Sequence, residues 1–202
     1  WLLSLRKNKT RLIWSLRCSD IELENYRRST LWTLKALTLL SHLPAIILSN
    51  SEAGYLVHKK IGYKPPRWKV IPNGFDMDVM KPDKTDRAAT RKSLKLDDDH
   101  IAVCLCARVD PTKDHVNFIA ASKIAAEKNP NLIFILVGLG TSDLMNDIKA
   151  LGLEDRYRVL GLRHDMEKLW PAMDISVLCS AFGEGFPNVI GEAMAYALPC
   201  VT

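Results

Sequence analysis

"HIAVCLCARVDPTKDHVNFIAASKIAAEKNPNLIFILVG", residues 100–138, holds the pattern that decides the fold. Residues 100–109 form an almost continuously apolar run of strand length, and 131–138 form a second. Between them, 113–129 read as a helix stopped by Pro130. Two strands apolar on both sides and joined by a helix make a parallel pair covered on both faces. The alternation continues with a helix over 142–152, a strand over 157–161, a short helix over 165–170 closed by Pro171, and a strand over 174–180. A helix over 188–197 and the start of a strand in "PCVT" complete it. The expected class is α/β with a doubly wound parallel sheet.

The first half reads as a second, incomplete α/β unit. It has strands over 11–17 and 45–51, helices over 22–42 and 52–62, and a strand and turn over 68–74. The charge-rich residues 81–99 suit a junction. The expected organisation is therefore an N-terminal unit over 1–80, a junction over 81–99 and a C-terminal unit over 100–202. The chain begins with Trp1, not Met, and "PCVT" reads as a strand cut short, so a fragment at both ends is expected.

A net charge of +5 conceals an asymmetry. Residues 1–75 hold 13 Lys/Arg against 4 Asp/Glu, a balance of +9, and the remainder hold 15 against 19, a balance of −4. A basic half is either a solvated surface or a surface for anionic partners, a membrane or a phosphorylated acceptor. Basic and aromatic residues do not interleave in a recognition pattern, which argues against nucleic acid. The five cysteines form no C-x-x-C pair, so neither a disulfide framework nor a zinc site is expected and the compartment reads as reducing and cytosolic. His42, His58, His100, His115 and His164 show no paired metal spacing, and no metal is expected.

In open parallel sheets, ligands sit outside the carboxyl ends of the strands. There "GEGFPNVIGEAMAYALP", residues 183–199, places Glu184 in a Gly/Pro loop and Glu192 in the helix after it. Pro187 suits the helix start, whose N–H groups make an anion site. Val189, Ile190, Ala193, Met194 and Ala197 are expected to face the core, leaving Asn188, Gly191, Glu192 and Ala195 on a face of small residues that something approaches closely. An acid beside an anion site fits a ligand that carries a vicinal diol as well as phosphates; the alternative is a chance surface acid. In "ARVDPTKD", Arg108 ends a strand and Lys113 falls in the first helical turn. Cations are not favoured there. An anion between the pair, such as a leaving diphosphate, would account for both; a solvated loop is the alternative.

"VIPNGFD", "ARVDPTKD", "GLRHD" and "SAFGEGFPNVIGEAMAYALPCV" together resemble the family-4 glycosyltransferases, retaining enzymes with the GT-B fold. Glu184 and Glu192 match that family's E-x7-E motif. The resemblance implies two Rossmann-like parallel-sheet units, both incomplete here, and transfer of a hexose from a UDP- or GDP-sugar to a glycan or lipid-linked acceptor in surface polysaccharide synthesis. It places the ribose diol on Glu192, hydroxyls of the donor sugar on Glu184, and sugar and phosphate on the backbone of Gly185, Phe186, Pro187, Asn188 and Val189. It places the diphosphate on Arg108 and Lys113 and the nucleobase near Leu162 and Arg163. Asn73 and Gly74 count as donor-binding too. Many members carry a histidine where this chain has Arg17, taken as an acceptor-side candidate. No cofactor beyond the donor substrate and no metal are implied, and the basic N-terminal portion is expected to touch the inner face of a membrane peripherally. The fragment alone is expected to be inactive. Other readings are a GT-B-fold sugar-nucleotide isomerase and a nucleotide-sugar-binding fragment without turnover.

Overall fold

A computed structural model describes residues 11–19 and 28–202. The chain's contacts group into two units, one running up to Gly74 with Phe182–Pro187 added, the other holding Phe75–Ala181 and Asn188–Thr202.

The first unit contains β1 (Ile13–Leu16), α1 (Arg28–Leu40), β2 (Ile46–Ser49), α2 (Glu52–Ile61) and β3 (Trp68–Val70). The beginning of the helix expected over 22–42 lies outside the described residues. The strands pair in parallel in the order β1-β2-β3. Ser51 caps α2 by accepting from the Gly54 N–H at 3.0 Å, and Gly62 ends it in the left-handed region, where glycine carries no Cβ penalty. The core under α2 is aromatic. Buried His58 lies edge-on to Tyr63 with ring centres 5.1 Å apart, and Tyr55 meets Trp68 at 5.2 Å. His58 Nδ1 donates to the Gly54 carbonyl, and burial pushes its pKa down, so the imidazole is neutral at pH 7.

The second unit contains α3 (Lys84–Ser93), β4 (Ile101–Cys106), α4 (His115–Lys128), β5 (Leu132–Val137), α5 (Met145–Ala150), β6 (Tyr157–Gly161), α6 (Met166–Leu169), β7 (Ile175–Val177), α7 (Asn188–Ala195) and β8 (Cys200–Val201). All five strands are parallel in the order β6-β5-β4-β7-β8. Successive strand residues point to opposite faces. Ala102, Cys104, Ile133 and Ile135 join one core with Trp170, Met173, Ala193 and Tyr196. Val103, Leu105, Phe134 and Leu136 join the other with Phe118, Ile119, Ile148 and Tyr157. Apolar residues on both faces explain the unbroken runs in the sequence, and the doubly wound α/β class expected from them is found.

Two local expectations differ from the structure. The charged stretch 81–99 holds α3 and sends Leu94 and Leu96 into the core of the second unit. On α7 the buried residues are Gly191, Ala193 and Ala195, while Met194, placed on the core face by periodicity, is 64% exposed, and Ala197 after the helix, placed there too, is exposed. From the small face Gly191 and Ala195 pack inward, and the Phe75 ring lies against Gly191, where a Cβ would clash with it.

Candidate functional site

β4 and β7 are neighbours in the sheet although β5 and β6 lie between them in the chain. This is the point where the strand order reverses, and the crevice outside it is where such sheets hold ligands. The loops leaving these two strands supply the candidates. They are tied together by the Ala181 N–H donating to the Thr112 carbonyl at 2.9 Å and by Cys179 Sγ–H donating to the Lys113 carbonyl at 3.1 Å. At the end of β5, Gly138 has φ +139° and lies so close to the Ala107 carbonyl that a Cβ would clash with it. The Val109 N–H reaches the Leu139 carbonyl at 2.8 Å, so the loops after β4 and β5 run side by side.

Arg108 projects from the end of β4 with its side chain exposed, and pairs with Asp110 at 3.6 Å. Asp110 accepts from the Thr112 N–H at 2.9 Å, which, together with the cations Arg108 and Lys113, holds its carboxyl below the usual range. Lys113 ends a one-turn 3-10 helix, Pro111–Lys113, and α4 begins at His115. The premise that Lys113 sits in the first turn of a long helix therefore fails. Lys113 lies instead in a tight turn that closes with Asp114 at φ +44°, and its charge acts with that of Arg108 on Asp110. His115 is buried, and burial pushes its pKa down despite the opposing Ala107 backbone.

Glu192, on α7, is half-buried and accepts from Trp170 Nε1–H at 3.4 Å. Burial, and then the Glu192 charge, push the thiol of Cys106 up to about 11. Cys106 is the last residue of β4, so the Glu192 charge is felt at the end of the strand from which Arg108 leaves. Asn188 is the exposed first residue of α7, and Val189 packs against the core.

Leu162 and Arg163 follow β6 at the same sheet edge. Leu162 is exposed, whereas Arg163 forms a two-pronged bond to Asp165 at 2.7 and 2.6 Å that raises its own pKa and lowers that of Asp165. Its charge is thus matched inside the loop.

Glu184, Gly185, Phe186 and Pro187 group by contact with the first unit. There Ser19 Oγ–H donates to the Glu184 carbonyl. A Cβ on Gly185 would lie 2.6 Å from the Arg17 carbonyl oxygen and 2.8 Å from Asn50 Oδ1. Arg17 itself follows β1 and is exposed. Asn73 is half-buried, and Gly74 has open space where a Cβ would be, so no steric need fixes a glycine there.

Sequence reading did not anticipate Phe75, Trp170 or Ser19. The small residue Gly191 inside "VIGEAMA" signalled a close approach without saying by what. Among the described residues, Asp97, Asp99 and His100 bring possible metal-ligand atoms within 4.8 Å of one another. They precede β4, at the end away from Arg108, and His100 Nδ1 already accepts from the Asp97 N–H at 2.9 Å. No helix of the described residues is long and apolar enough to cross a membrane.

Residues 86–202 match the family of glycosyl transferases group 1. The chain is 32% identical over 163 residues to the UDP-Gal:alpha-D-GlcNAc-diphosphoundecaprenol alpha-1,3-galactosyltransferase of Escherichia coli, covering 77% of this chain and 41% of that protein. It superimposes with a TM-score of 0.81 and 29% identity on Anabaena Alr3699/HepE solved in complex with UDP-glucose, covering 94% of this chain and 52% of that one. Sucrose-phosphate synthase from Thermosynechococcus elongatus shares the fold alone, with a TM-score of 0.81 at 19% identity over 99% of this chain and 51% of that one. The chain thus spans about half the length, or less, of the proteins it matches. With the family match covering more than half of its residues, this chain belongs to the group 1 glycosyl transferases.

Proposed function

We propose that this chain is the donor-binding portion of a retaining GT-B glycosyltransferase. The complete protein would move a hexose from a nucleotide sugar to a hydroxyl of a glycan or lipid-linked acceptor in surface polysaccharide synthesis. The observation that supports this reading is that the loop carrying Arg108 and Lys113 leaves β4 where the strand order reverses beside β7, while the Glu192 charge acts on Cys106 at the end of that same strand. A ligand with a diphosphate and a vicinal diol answers both signs of charge. Arg108 and Lys113 take up the charge that develops on the leaving diphosphate. Glu192 accepts from the ribose diol, and Glu184 accepts from the donor sugar. In this reading no metal serves the leaving group. UDP is favoured over GDP because the Escherichia coli relative is named for UDP-Gal and the Anabaena structure holds UDP-glucose.

The test is a thermal-shift screen of UDP, GDP, UDP-galactose, UDP-glucose and GDP-mannose on the complete protein. A ligand present at a hundred times its Kd stabilises by about 2.7 kcal/mol, which moves Tm by several degrees. UDP and one UDP-sugar should do so. No shift with any of the five would contradict the reading, and interconversion of a free sugar nucleotide without an acceptor would point to an isomerase.

We also propose peripheral contact with an anionic membrane through the first unit. α1 exposes Trp32 and Leu39 by 72% and 74%, and Lys35 Nζ lies 5.5 Å over the Trp32 ring. An exposed apolar and cationic stripe suits the lipid interface. Co-sedimentation with phosphatidylglycerol vesicles should fall steeply between 50 and 500 mM salt, both chosen as rough ends of the screening range. Binding indifferent to salt, or absent, would refute the contact.

A further inference from the structure

The donor loop divides unevenly. Chain on either side of Phe182–Pro187 belongs to the second unit, yet these six residues group with the first. Gly183, at φ +89°, supplies the left-handed turn that enters the segment. Two contacts then seat it: Ser19 Oγ–H donates to the Glu184 carbonyl, and the Gly185 backbone lies against the Arg17 carbonyl and Asn50 Oδ1. Any side chain at position 185 would enter both oxygens at under 3 Å. Asn50 is only 6% exposed, and its Oδ1 has no hydrogen-bond partner. A buried, unpaired carboxamide oxygen is costly and is otherwise rare. Its cost is explained if the side chain serves as the wall against which Gly185 is set.

We propose that Ser19 and Asn50 are positioning residues for Glu184. They fix the backbone that leaves its Cα, at the Glu184 carbonyl and at Gly185, and so the place from which its carboxylate reaches the donor sugar. Glu192 is fixed separately by α7 and Trp170. The inference rests on the reading that Glu184 meets the sugar and Glu192 the nucleotide. It follows that loosening the seat should spare UDP and weaken only the sugar's contribution.

The experiment is calorimetry with UDP and with UDP-galactose on the complete protein, comparing wild type with Ser19→Ala, Ser19→Thr, Asn50→Ala, Gly185→Ala and Glu184→Gln. The quantity read is the ratio of the two Kd values. Glu184→Gln, Ser19→Ala, Asn50→Ala and Gly185→Ala should each shift that ratio in the same direction, by about fivefold, the worth of one hydrogen bond. UDP affinity should be unchanged in the Ser19, Asn50 and Glu184 variants. Ser19→Thr, which keeps the hydroxyl, should restore the wild-type ratio, and Ser19→Ala should add nothing in the Glu184→Gln background. If Glu184→Gln shifts the ratio while the seat variants do not, the positioning role is wrong and the role of Glu184 stands. If Glu184→Gln leaves the ratio unchanged, the reading of Glu184 falls and the positioning role falls with it. Should Gly185→Ala fail to fold, the Ser19 pair decides alone.

Discussion

Gly191 carries a hydrogen where any other residue carries a Cβ, and the Phe75 ring occupies that space. An added methyl must displace a ring held in a packed region, and overpacking of this kind costs about 1–3 kcal/mol. Gly191→Ala should therefore lower the unfolding free energy of the second unit by that amount, seen as a lower urea midpoint at an unchanged m-value. An unchanged midpoint would mean the ring yields freely. The two acids were legible in the sequence because their spacing and their small neighbours are local properties. What touches them was not. Trp170 read only as the end of a short helix, since its Nε1–H meets Glu192 through tertiary placement that no local pattern encodes. At Gly191, one residue of the small face of α7, the close neighbour is a ring of the protein itself.

α3 shows how charge can mislead at the scale of an element. Its residues are so polar that the stretch resembles a linker, yet Arg87 and Arg91, one turn apart, both grip Asp174, at 2.7 and 3.0 Å. Arg91 also donates to the Ala172, Asp97 and His100 carbonyls, and Asp174 accepts from the Ala102 N–H at 2.8 Å. The polar residues are thus the packing surface. Removing the carboxylate in Asp174→Ala leaves a largely buried Arg91 without its counter-ion. The cost should be about 2 kcal/mol, below the usual value for a buried pair because Arg87 and Asp174 are partly solvated. Burial alone would raise the pKa of Asp174, but the Ala102 N–H and the Arg87 and Arg91 guanidiniums outweigh it and lower it. A folded-state pKa below the unfolded value of about 3.9 contributes stability that is complete above that pH and is lost as pH falls through the folded value. Wild type should therefore lose stability more steeply below about pH 4 than Asp174→Asn does. Parallel acid-unfolding curves for the two would contradict the clamp.

At the scale of the molecule, strand order could be anticipated only as a class. The alternation of apolar strands and helices gave a parallel sheet, while the adjacency of β4 and β7 had to come from the coordinates. That adjacency is what turns Arg108, Lys113 and Glu192 from scattered residues into one end of one sheet. The membership of Phe182–Pro187 in the first unit was equally illegible, because a Gly/Pro loop carries no periodicity from which its partners could be read. The central claim is the division of labour between the two acids, and UDP binding to the complete protein tests it most directly. Glu192→Gln keeps the side chain's size but removes its negative charge, and a hydrogen bond to a charged group is worth about 1.5–3 kcal/mol. Calorimetry should show UDP binding about tenfold weaker or worse in Glu192→Gln and nearly unchanged in Glu184→Gln. Unchanged UDP binding in Glu192→Gln, or an equal loss in both variants, would contradict the account.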